Sequence, residues 1–369
     1  MKILQIIYES AGSPFGFGGA GVRAYEIYSR LTERHDITLL CMKYKGAKDG
    51  VKDGLKHVFV GIENRSLTKS VIAYTFKAGR YVKKFGGNFD IIVENFLPST
   101  PFFAKFFTST PVVLQVQGIM EKHSFNKFSP LYSIPMYGVE SVYPSFYDRL
   151  LFVSEVTRRK VMSNVSMGNA ISTVIPNGVN QELLETEPVE KPYVLFFSRI
   201  DIYTKGLDIL MKAFNEIADK YPDITLKLAG YEFDNASLLI ARQSQKLRQK
   251  IQYVGFVSGA EKIKLLQEAM IVVLPSRHES QPVSILEAAA CEKPVIVSDV
   301  DELLFVSEND IGLTFKSQNH ESLAAKMEQL IREQSLRQAF GKRGRAYASK
   351  FLWDSIALKY ESFLTGFVQ

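Results

Sequence analysis

Two glutamates eight residues apart carry the strongest chemical signal in the sequence. Residues 274–299 read LPSRHESQPVSILEAAACEKPVIVSD, with Glu279 just after an apolar run and Glu287 within a helix-forming stretch. A carboxylate accepts hydrogen bonds from a vicinal diol such as a ribose, and the N-terminus of a helix favours phosphate. This segment therefore predicts a contact with a nucleotide.

The residues between the two glutamates are expected to start a helix. Ser280 or Gln281 can cap it, and Pro282 suits its first turn. Glu287 is flanked by Leu286 and the alanines at 288–290, which predicts that this helix is mostly buried. A carboxylate on a helix surface fits those neighbours less well, and a buried charge without a partner is expensive.

Two cations form a second candidate site. Arg199 follows the apolar run YVLFF, and Lys205 precedes a helical segment within SRIDIYTKGLDIL. Two positive charges one loop apart suit a diphosphate, because an arginine offers a planar fork and a lysine a point charge. Taken alone this signal is weak, since a charged loop is usually just solvated.

Residues 16–21 read GFGGAG, the Gly-x-Gly-x-x-Gly spacing of a dinucleotide-binding turn. Such a turn needs its first glycine directly after the first strand and an acidic residue about twenty positions on. Here ESAGSPF intervenes and the second strand ends in CMK, so the context argues against NAD. What remains is a glycine-rich loop leading into a helix near residues 20–34, whose amides can approach a phosphate or a sugar. A mobile surface loop is the alternative.

Apolar runs of strand length alternate with helical segments along the chain. The runs are KILQIIY, DITLLCM, HVFV, DIIVENF, PVVLQVQ, RLLFVS and STVIP, followed by YVLFFSR, TLKLAG, IQYVG, IVVLPS and PVIVSD. Strands that are apolar throughout imply parallel sheets covered on both faces. We therefore expect two doubly wound α/β domains, joined near residues 177–192 and facing each other across a cleft. Ligands of such sheets bind beyond the carboxyl ends of the strands, where the candidate residues lie.

The charge of the chain is unevenly distributed. The 369 residues carry a net charge of +6. Residues 1–176 hold 22 basic and 13 acidic residues, whereas residues 177–369 hold 23 and 26. A basic half indicates an anionic partner such as nucleic acid, acidic lipid or a phosphorylated substrate, unless it serves only solubility.

Metal sites, disulfides and export have little support in the sequence. The two cysteines lie far apart and the five histidines show no ligand spacing. Asp299 and Asp301 form an Asp-x-Asp pair of a kind that can hold Mg²⁺ or Mn²⁺. The pair follows a parallel strand beside the two glutamates, which is the wrong architecture for such a motif, so we expect no metal. With neither an export signal nor a membrane-spanning run visible, we expect a cytoplasmic protein.

Six segments of the chain match one known family. They are GGAG at 18–21, VIPNGV at 174–179, SRIDIYTKGLDIL at 198–210, KLAG at 227–230, YVGFV at 253–257, and the two glutamates Glu279 and Glu287, the second of which begins the run EAAACEKPVIVSD. Each is modest alone, and together they are specific. The chain resembles the family-4 glycosyltransferases of the GT-B fold over nearly its whole length. The resemblance implies two Rossmann-like domains, at 1–180 for the acceptor and at 181–350 for the nucleotide sugar, and a helix at 351–369 that crosses back to the first domain.

The resemblance also implies roles for the charged candidates. Arg199 and Lys205 would bind the donor diphosphate. Glu287 would hold the ribose hydroxyls, and Glu279 would contact the donor sugar. The residues that follow Glu279, which are Ser280, Gln281, Pro282 and Val283, would lie along the donor.

For the glycine-rich loop, the resemblance implies that Gly18, Gly19 and Gly21 line the phosphate and acceptor side. Enzymes of this family retain the anomeric configuration and need no metal. In the mechanism usually favoured for them, the leaving phosphate accepts the proton of the acceptor. The protein then mainly supplies position and electrostatics.

Two positions depart from the family pattern. The family usually has His-Gly or His-Asp after the fifth strand, whereas VVLQVQG places Gln117 there. An amide cannot act as a general base, so we expect Gln117 only to position the donor sugar. The glycine-rich turn that usually follows the first glutamate is SQP here, and Pro282 removes one backbone donor to the phosphate.

The sequence thus predicts a metal-independent, retaining glycosyltransferase that uses a UDP- or GDP-sugar. We expect a glycan or lipid-linked acceptor, a role in bacterial surface polysaccharide biosynthesis, and no nucleic-acid partner. A nucleotide-sugar 2-epimerase of the same fold and a catalytically silent sugar-nucleotide-binding protein are the alternatives.

One further segment indicates a membrane. Lys77, Arg80, Lys83 and Lys84 lie among aromatic and aliphatic residues, near the run FFAKFF. This pattern predicts reversible attachment to the inner face of an anionic membrane. A solvated helix face is equally consistent with it.

Overall fold

The chain divides into two units in the computed structural model, which describes residues 1–96, 98, 101–165 and 168–368. The first unit comprises Met1–Asn177 with Trp353–Gln369, and the second Gly178–Leu352. Each unit is built around one sheet of its own.

The first unit alternates strands with helices. Its strands are β1 (Lys2–Ile6), β2 (Asp36–Met42), β3 (Gly50–Lys52), β4 (Leu55–Val60), β5 (Ile91–Asn95), β6 (Val112–Val116), β7 (Arg149–Phe152) and β8 (Ile171–Val174). Its helices are α1 (Gly19–Ser29), α2 (Leu67–Phe85), α3 (His123–Lys127), α4 (Pro130–Val142) and α5 (Glu155–Asn164). The strands lie in the order β3-β4-β2-β1-β5-β6-β7-β8. This order places a topological switch point, the ligand position of doubly wound sheets, between β1 and β5.

Seven of these strands coincide with apolar runs, and β3 does not. β3 pairs antiparallel with β4, so the expectation of a wholly parallel sheet is wrong at this edge. The two strands are joined by Asp53 and Gly54, whose φ angles are 53° and 76°. Two consecutive positive φ values give the tight turn whose twist matches a hairpin.

Both faces of the first sheet are covered. Consecutive residues of β1 belong to different cores, with Leu4 in one and Ile3 in the other. The second of these cores includes residues from α15 (Trp353–Thr365), a helix at the far end of the chain. The hydroxyls of Tyr28 on α1 and Tyr360 on α15 lie 3.1 Å apart and are buried. The last helix is therefore part of the first unit's core.

The second unit repeats the alternation. Its strands are β9 (Tyr193–Phe197), β10 (Thr225–Ala229), β11 (Ile251–Gly255), β12 (Ile271–Leu274), β13 (Val295–Ser298) and β14 (Gly312–Phe315). Its helices are α6 (Gln181–Leu184), α7 (Leu207–Ile217), α8 (Ala236–Ala241), α9 (Gln245–Arg248), α10 (Gly259–Gln267), α11 (Val283–Ala290), α12 (Phe305–Glu308), α13 (His320–Arg332) and α14 (Gln334–Ala348). The parallel strands lie in the order β11-β10-β9-β12-β13-β14, with a switch point between β9 and β12. β14 matches no predicted run.

Two glycines let the loops beyond these strands lie against each other. A Cβ on Gly206, which follows β9 and has a φ of 65°, would lie 1.9 Å from the carbonyl oxygen of Pro275 after β12. A Cβ on Gly230, after β10, would lie 1.9 Å from the carbonyl oxygen of Ser198. Only glycine allows such backbone contact, so these positions fix the spacing of the loops at the carboxyl edge of the sheet.

Gly206→Ala should lower the free energy of unfolding of the second unit by about 2–5 kcal/mol. The left-handed conformation costs a side chain about 1–2 kcal/mol, and the clash with Pro275 adds an overpacking cost of about 1–3 kcal/mol. Gly259→Ala is the matched control, because Gly259 has a φ of 53° but no atom within 4 Å of its Cβ position. Chemical denaturation of both variants measures the difference, and equal losses would show that the Pro275 contact is not limiting.

Candidate active site

A single carboxylate organises the loop after β9. Asp201 is 1% exposed. Its Oδ1 accepts a hydrogen bond from the amide of Thr204 (3.0 Å), and its Oδ2 accepts one from Nη2 of Arg199 (3.0 Å). The amide of Lys205 donates to the carbonyl oxygen of Asp201 (3.0 Å). Both predicted cations thus lie on one loop that Asp201 holds together. Sequence reasoning did not single out this aspartate.

Arg199 is the more exposed of the two cations. Its side chain is 42% exposed and its guanidinium carbon lies 5.1 Å from the centre of the Phe233 ring. Guanidinium stacking on an aromatic face restricts rotation while leaving N–H groups open to solvent. Arg199 is therefore accessible to an anionic ligand.

An arginine joins the loop after β12 to the loop after β9. Arg277 donates to both carboxylate oxygens of Asp208 (2.8 and 2.7 Å) and to the carbonyl oxygen of Tyr203 (2.8 Å). Its amide donates to the carbonyl oxygen of Thr204 (2.9 Å). The hydrogen bonds with Asp208 raise the pKa of Arg277. These contacts fix the position of the loop after β12 relative to the loop after β9.

Lys205 and Glu279 meet in a buried ion pair. Nζ of Lys205 lies 2.5 Å from Oε1 of Glu279, and their side chains are 14% and 6% exposed. The hydroxyl of Ser276 donates to the same carboxylate oxygen (2.7 Å). The sequence assigned these residues to separate parts of a donor, the diphosphate and the sugar, and the structure places them in direct contact.

Glu287 has a similar partner. It is 8% exposed, within a helix whose other residues from Ile285 onward are buried, as predicted. Nζ of Lys262, on α10, lies 2.6 Å from Oε1 of Glu287. Sequence reasoning missed Lys262, because a lysine 25 residues away on another helix gives no spacing signal.

The start of α11 differs from the prediction. Pro282 is the N-cap residue, with φ −73° and ψ 115°, and no side chain caps the helix. Ser280 and Gln281 therefore do not cap it, and Pro282 precedes the first turn, because the fixed φ of proline suits the extended residue that leads into the helix. The helix begins at Val283 and has no acidic residue in its first turn. Its first amides lack intrahelical partners and keep the partial positive charge of a helix N-terminus.

In the first unit, Glu9 binds the amides of the glycine-rich loop. One oxygen of its carboxylate accepts from the amides of Gly18 (2.9 Å) and Gly21 (2.7 Å). α1 begins at Gly19 rather than Ala20 and has no acidic residue in its first turn, so Glu9 supplies the negative charge there. A Cβ on Gly19 would meet nothing within 4 Å. Two of the three predicted glycines thus bind a carboxylate of the protein itself through their amides, whereas Gly19 has free space beside it.

Gln117 lies just beyond β6, next to the end of β5. Its Nε2 donates to Oδ1 of Asn95 (2.9 Å), and Gln115 donates to the same oxygen at 3.4 Å. Because its amide nitrogen faces Asn95, the carbonyl oxygen of Gln117 is the atom positioned to accept a further hydrogen bond. This geometry suits a hydroxyl donor.

One member of the Asp-x-Asp pair takes part in a loop contact. Oδ1 of Asp299 accepts a hydrogen bond from the amide of Ser317 (2.7 Å). Across the described residues, no three His, Cys, Asp or Glu side chains are placed to share a metal ion.

Burial should make the Lys205–Glu279 pair strongly coupled. Lys205→Ala and Glu279→Ala, made singly and together, should give a coupling of about 1–3 kcal/mol in the free energy of unfolding, because each single change leaves a buried charge unpaired. The control is Lys246–Asp219, which has a 2.6 Å contact but side chains that are both 68% exposed. That pair should couple far more weakly, because water screens exposed charges. Double-mutant cycles by urea denaturation measure both values, and similar couplings would contradict the argument from burial.

Solved structures share this fold. Sucrose-phosphate synthase from Thermosynechococcus elongatus superposes with a TM-score of 0.82 at 19% identity, covering 99% of this chain and 98% of that one. HepE from Anabaena, solved in complex with UDP-glucose, gives 0.74 at 18% identity, covering 99% and 100%. These similarities identify the architecture as GT-B.

Sequence comparison points the same way. Phosphatidyl-myo-inositol mannosyltransferase of Mycobacterium leprae is 27% identical over 213 residues, which is 56% of this chain and 55% of that protein. The chain thus spans little more than half the length of this relative. The family model described as glycosyl transferases group 1 matches residues 184–347, and the model described as glycosyltransferase family 4 matches residues 17–183. Between them the two models account for both units, and the chain belongs to the family-4 glycosyltransferases.

Proposed function

We propose that this glycosyltransferase moves a sugar, with retention of configuration and without a metal, from a UDP- or GDP-sugar to a glycan or lipid-linked acceptor. The proposal includes a role in bacterial surface polysaccharide biosynthesis. The observation that carries it is the cluster at the β9–β12 switch point, where Lys205 and Glu279 form a buried pair beside Arg199. The complex of Anabaena HepE with UDP-glucose supports a nucleotide-sugar donor.

Donor binding would exchange the partners of the buried pair. A diphosphate would take Lys205 and the accessible guanidinium of Arg199, which together offset its charge. Glu279 would then be released from Lys205 and accept a hydroxyl of the sugar. Glu287, which is held by Lys262, would accept the ribose hydroxyls with its remaining oxygen capacity.

The transfer itself needs few protein groups. The leaving diphosphate would take the proton of the acceptor, and the two cations together with the α11 N-terminus would stabilise the charge that develops on it. Gln117 would orient the sugar through its carbonyl oxygen. The first unit, with Gly19 open at the start of α1, would receive the acceptor.

The proposed roles predict two patterns of lost nucleotide binding. Arg199→Ala and Lys205→Ala should each weaken binding of the nucleoside diphosphate tenfold to a hundredfold, because a charged hydrogen bond contributes about 1.5–3 kcal/mol and about 1.4 kcal/mol is one decade. Both should leave the free nucleoside unaffected. Glu287→Ala should weaken both ligands. Calorimetry with UDP, GDP and their nucleosides gives the dissociation constants.

Lys246→Ala provides the control for these measurements, since Lys246 is an exposed lysine of the same unit. Equal losses for diphosphate and nucleoside in the arginine and lysine variants would assign them a structural role. Release of nucleoside diphosphate from UDP- and GDP-sugars in the presence of EDTA, with the product anomer read by NMR, tests the reaction. Formation of an epimer without transfer would favour the 2-epimerase instead.

An apolar surface on the first unit supports attachment to a membrane. On α2, Val71 and Tyr74 are buried, whereas Ile72 is 48% and Phe76 71% exposed. Phe107 packs on Gly79 of α2, and the neighbouring Phe106 contacts the ring of Phe146, which follows α4. α4 exposes Leu131, Tyr132, Ile134, Tyr137 and Val142. An apolar surface this extended marks an interaction site.

The charged residues of this surface also favour an anionic membrane. α2 carries Lys69, Lys77, Arg80, Lys83 and Lys84 and has no acidic residue, and Glu140, the one acidic or basic residue of α4, is buried. Across the described residues, no helix is both long and apolar enough to cross a bilayer. We therefore place the protein on the surface of an anionic membrane, where a lipid-linked acceptor would be found.

Vesicle binding should depend on both features of this surface. Lys83→Glu/Lys84→Glu should weaken co-sedimentation with phosphatidylglycerol vesicles at least about tenfold, because each basic residue near an anionic surface contributes about 1 kcal/mol. Phe76→Ser should also weaken it. Val51→Ser is the control, since Val51 is 72% exposed on β3. Binding to neutral lipid as strong as to anionic lipid, or binding insensitive to salt, would contradict the assignment.

A further inference from the structure

Glu140 connects α4 to the loop that follows Gln117. Its Oε1 accepts a hydrogen bond from the amide of Met120 (2.6 Å), and its Oε2 accepts one from the amide of Glu121 (2.8 Å). The residue is 6% exposed. Both oxygens of a buried carboxylate are therefore committed to two consecutive backbone amides, only three and four residues after Gln117.

The loop adopts a conformation that needs such support. Glu121 has a φ of 46°, a left-handed value that costs a side chain about 1–2 kcal/mol. The side chain of Glu121 lies 3.2 Å from Nζ of Lys160 on α5. The hydroxyl of Ser124 donates to the carbonyl oxygen of Glu121 (2.8 Å), and that of Ser133 on α4 donates to the carbonyl oxygen of Ser124 (2.9 Å). The loop is thus held from α4 and α5.

Gln117 is fixed from two sides as a result. Its side chain is bound by Asn95, which is 5% exposed at the end of β5. Its backbone leads through Ile119, which is 5% exposed, into the amides bound by Glu140. A shift of residues 118–121 would therefore move Gln117 relative to Asn95.

We propose that Glu140 is a positioning residue of the transfer reaction, which fixes loop 118–121 and through it the side chain of Gln117. This inference rests on the proposed function, because Gln117 has its role only in sugar transfer. Both oxygens of Glu140 are bound by backbone amides of the loop, so we expect it to act on the catalytic rate and not on nucleotide binding.

Ionisation of Glu140 matters to this role. Burial raises the pKa of Glu140 to about 7, and the charge of Glu121 also raises it, while the amides of Met120 and Glu121 lower it. The elements packed against α4 carry further charged or titratable groups, which are Glu155, Arg158, Arg159 and Lys160 on α5, His123 and Lys127 on α3, and Tyr143 in the short turn that follows α4. A protonated carboxyl keeps one accepting oxygen and turns the other into a donor. As the pH falls through about 7, the loop should lose one of its two hydrogen bonds.

Global stability should respond in the opposite direction. The pKa of Glu140 is higher in the folded protein than its ordinary 4.5. Its contribution to stability is therefore fully present below about 4.5 and is lost as the pH rises through about 7. Loosening of the loop in mild acid would thus not reflect general unfolding.

Glu140→Gln tests the proposal, because glutamine keeps one accepting oxygen and does not titrate. With UDP-glucose and GDP-mannose as probes, we expect kcat for donor turnover to fall about tenfold, within the ~10²-fold cost of a misplaced group, while nucleotide affinity is unchanged. The wild type should lose kcat as the pH falls through about 7, and the variant should not show this step. Ser141→Ala, on the same helix, is the control.

Two further measurements identify the route. Amide hydrogen exchange of residues 118–122, measured without substrate, should accelerate in Glu140→Gln, and unchanged exchange would overturn the proposal. Gln117→Ala combined with Glu140→Gln should be no slower than Gln117→Ala alone, whereas additive losses would show that Glu140 does not act through Gln117. If no nucleotide sugar is turned over by the wild type, the proposed function fails, and the exchange result still decides whether Glu140 holds the loop.

Discussion

The contact of Gly206 with the carbonyl of Pro275 is the constraint on which the second unit's site depends. It brings the loop after β9 against the loop after β12, at the point where the sheet order reverses. With the backbones this close, Lys205 reaches Glu279 and Arg277 reaches Asp208. These two ion pairs therefore depend on the backbone contact. A bulkier residue at position 206 would separate the paired side chains, although none of those side chains would itself be altered.

Three carboxylates of the candidate regions have internal partners, which are lysines in the second unit and backbone amides in the first. Lys205 holds Glu279, Lys262 holds Glu287, and the amides of Gly18 and Gly21 hold Glu9. Such pairing keeps the charges compensated away from water, where an isolated charge would be costly. Under the proposed function, an incoming diphosphate or hydroxyl would compete with an existing contact, so its net affinity would depend on the difference between two interactions.

Much of the fold can be predicted from the sequence, because buried parallel strands are continuous apolar runs. Twelve of the fourteen strands in the described part of the chain coincide with such runs. β3 was missed because Gly50–Lys52 is exposed and has no apolar pattern, although the Asp53–Gly54 turn was a usable hairpin signal. Arg199 and Gln117 lie within two residues of a strand end, whereas Glu287 lies within a helix, and the partners of the candidate residues do not follow from spacing. Lys262, Asp201 and Glu9 act through contacts that only the folded chain creates.

The helix α15 gives the chain a particular order of assembly. Trp353, Ile356 and Tyr360 are fully buried against α1 and the first sheet, yet they are translated after the whole of the second unit. On the ribosome the first unit must therefore wait, with one face of its sheet only partly covered by α1, while some 175 residues that belong to the second unit are synthesised. A chaperone that shields this face, or a slow stretch of translation before residue 353, would act on the step at which the nascent chain is most exposed to aggregation.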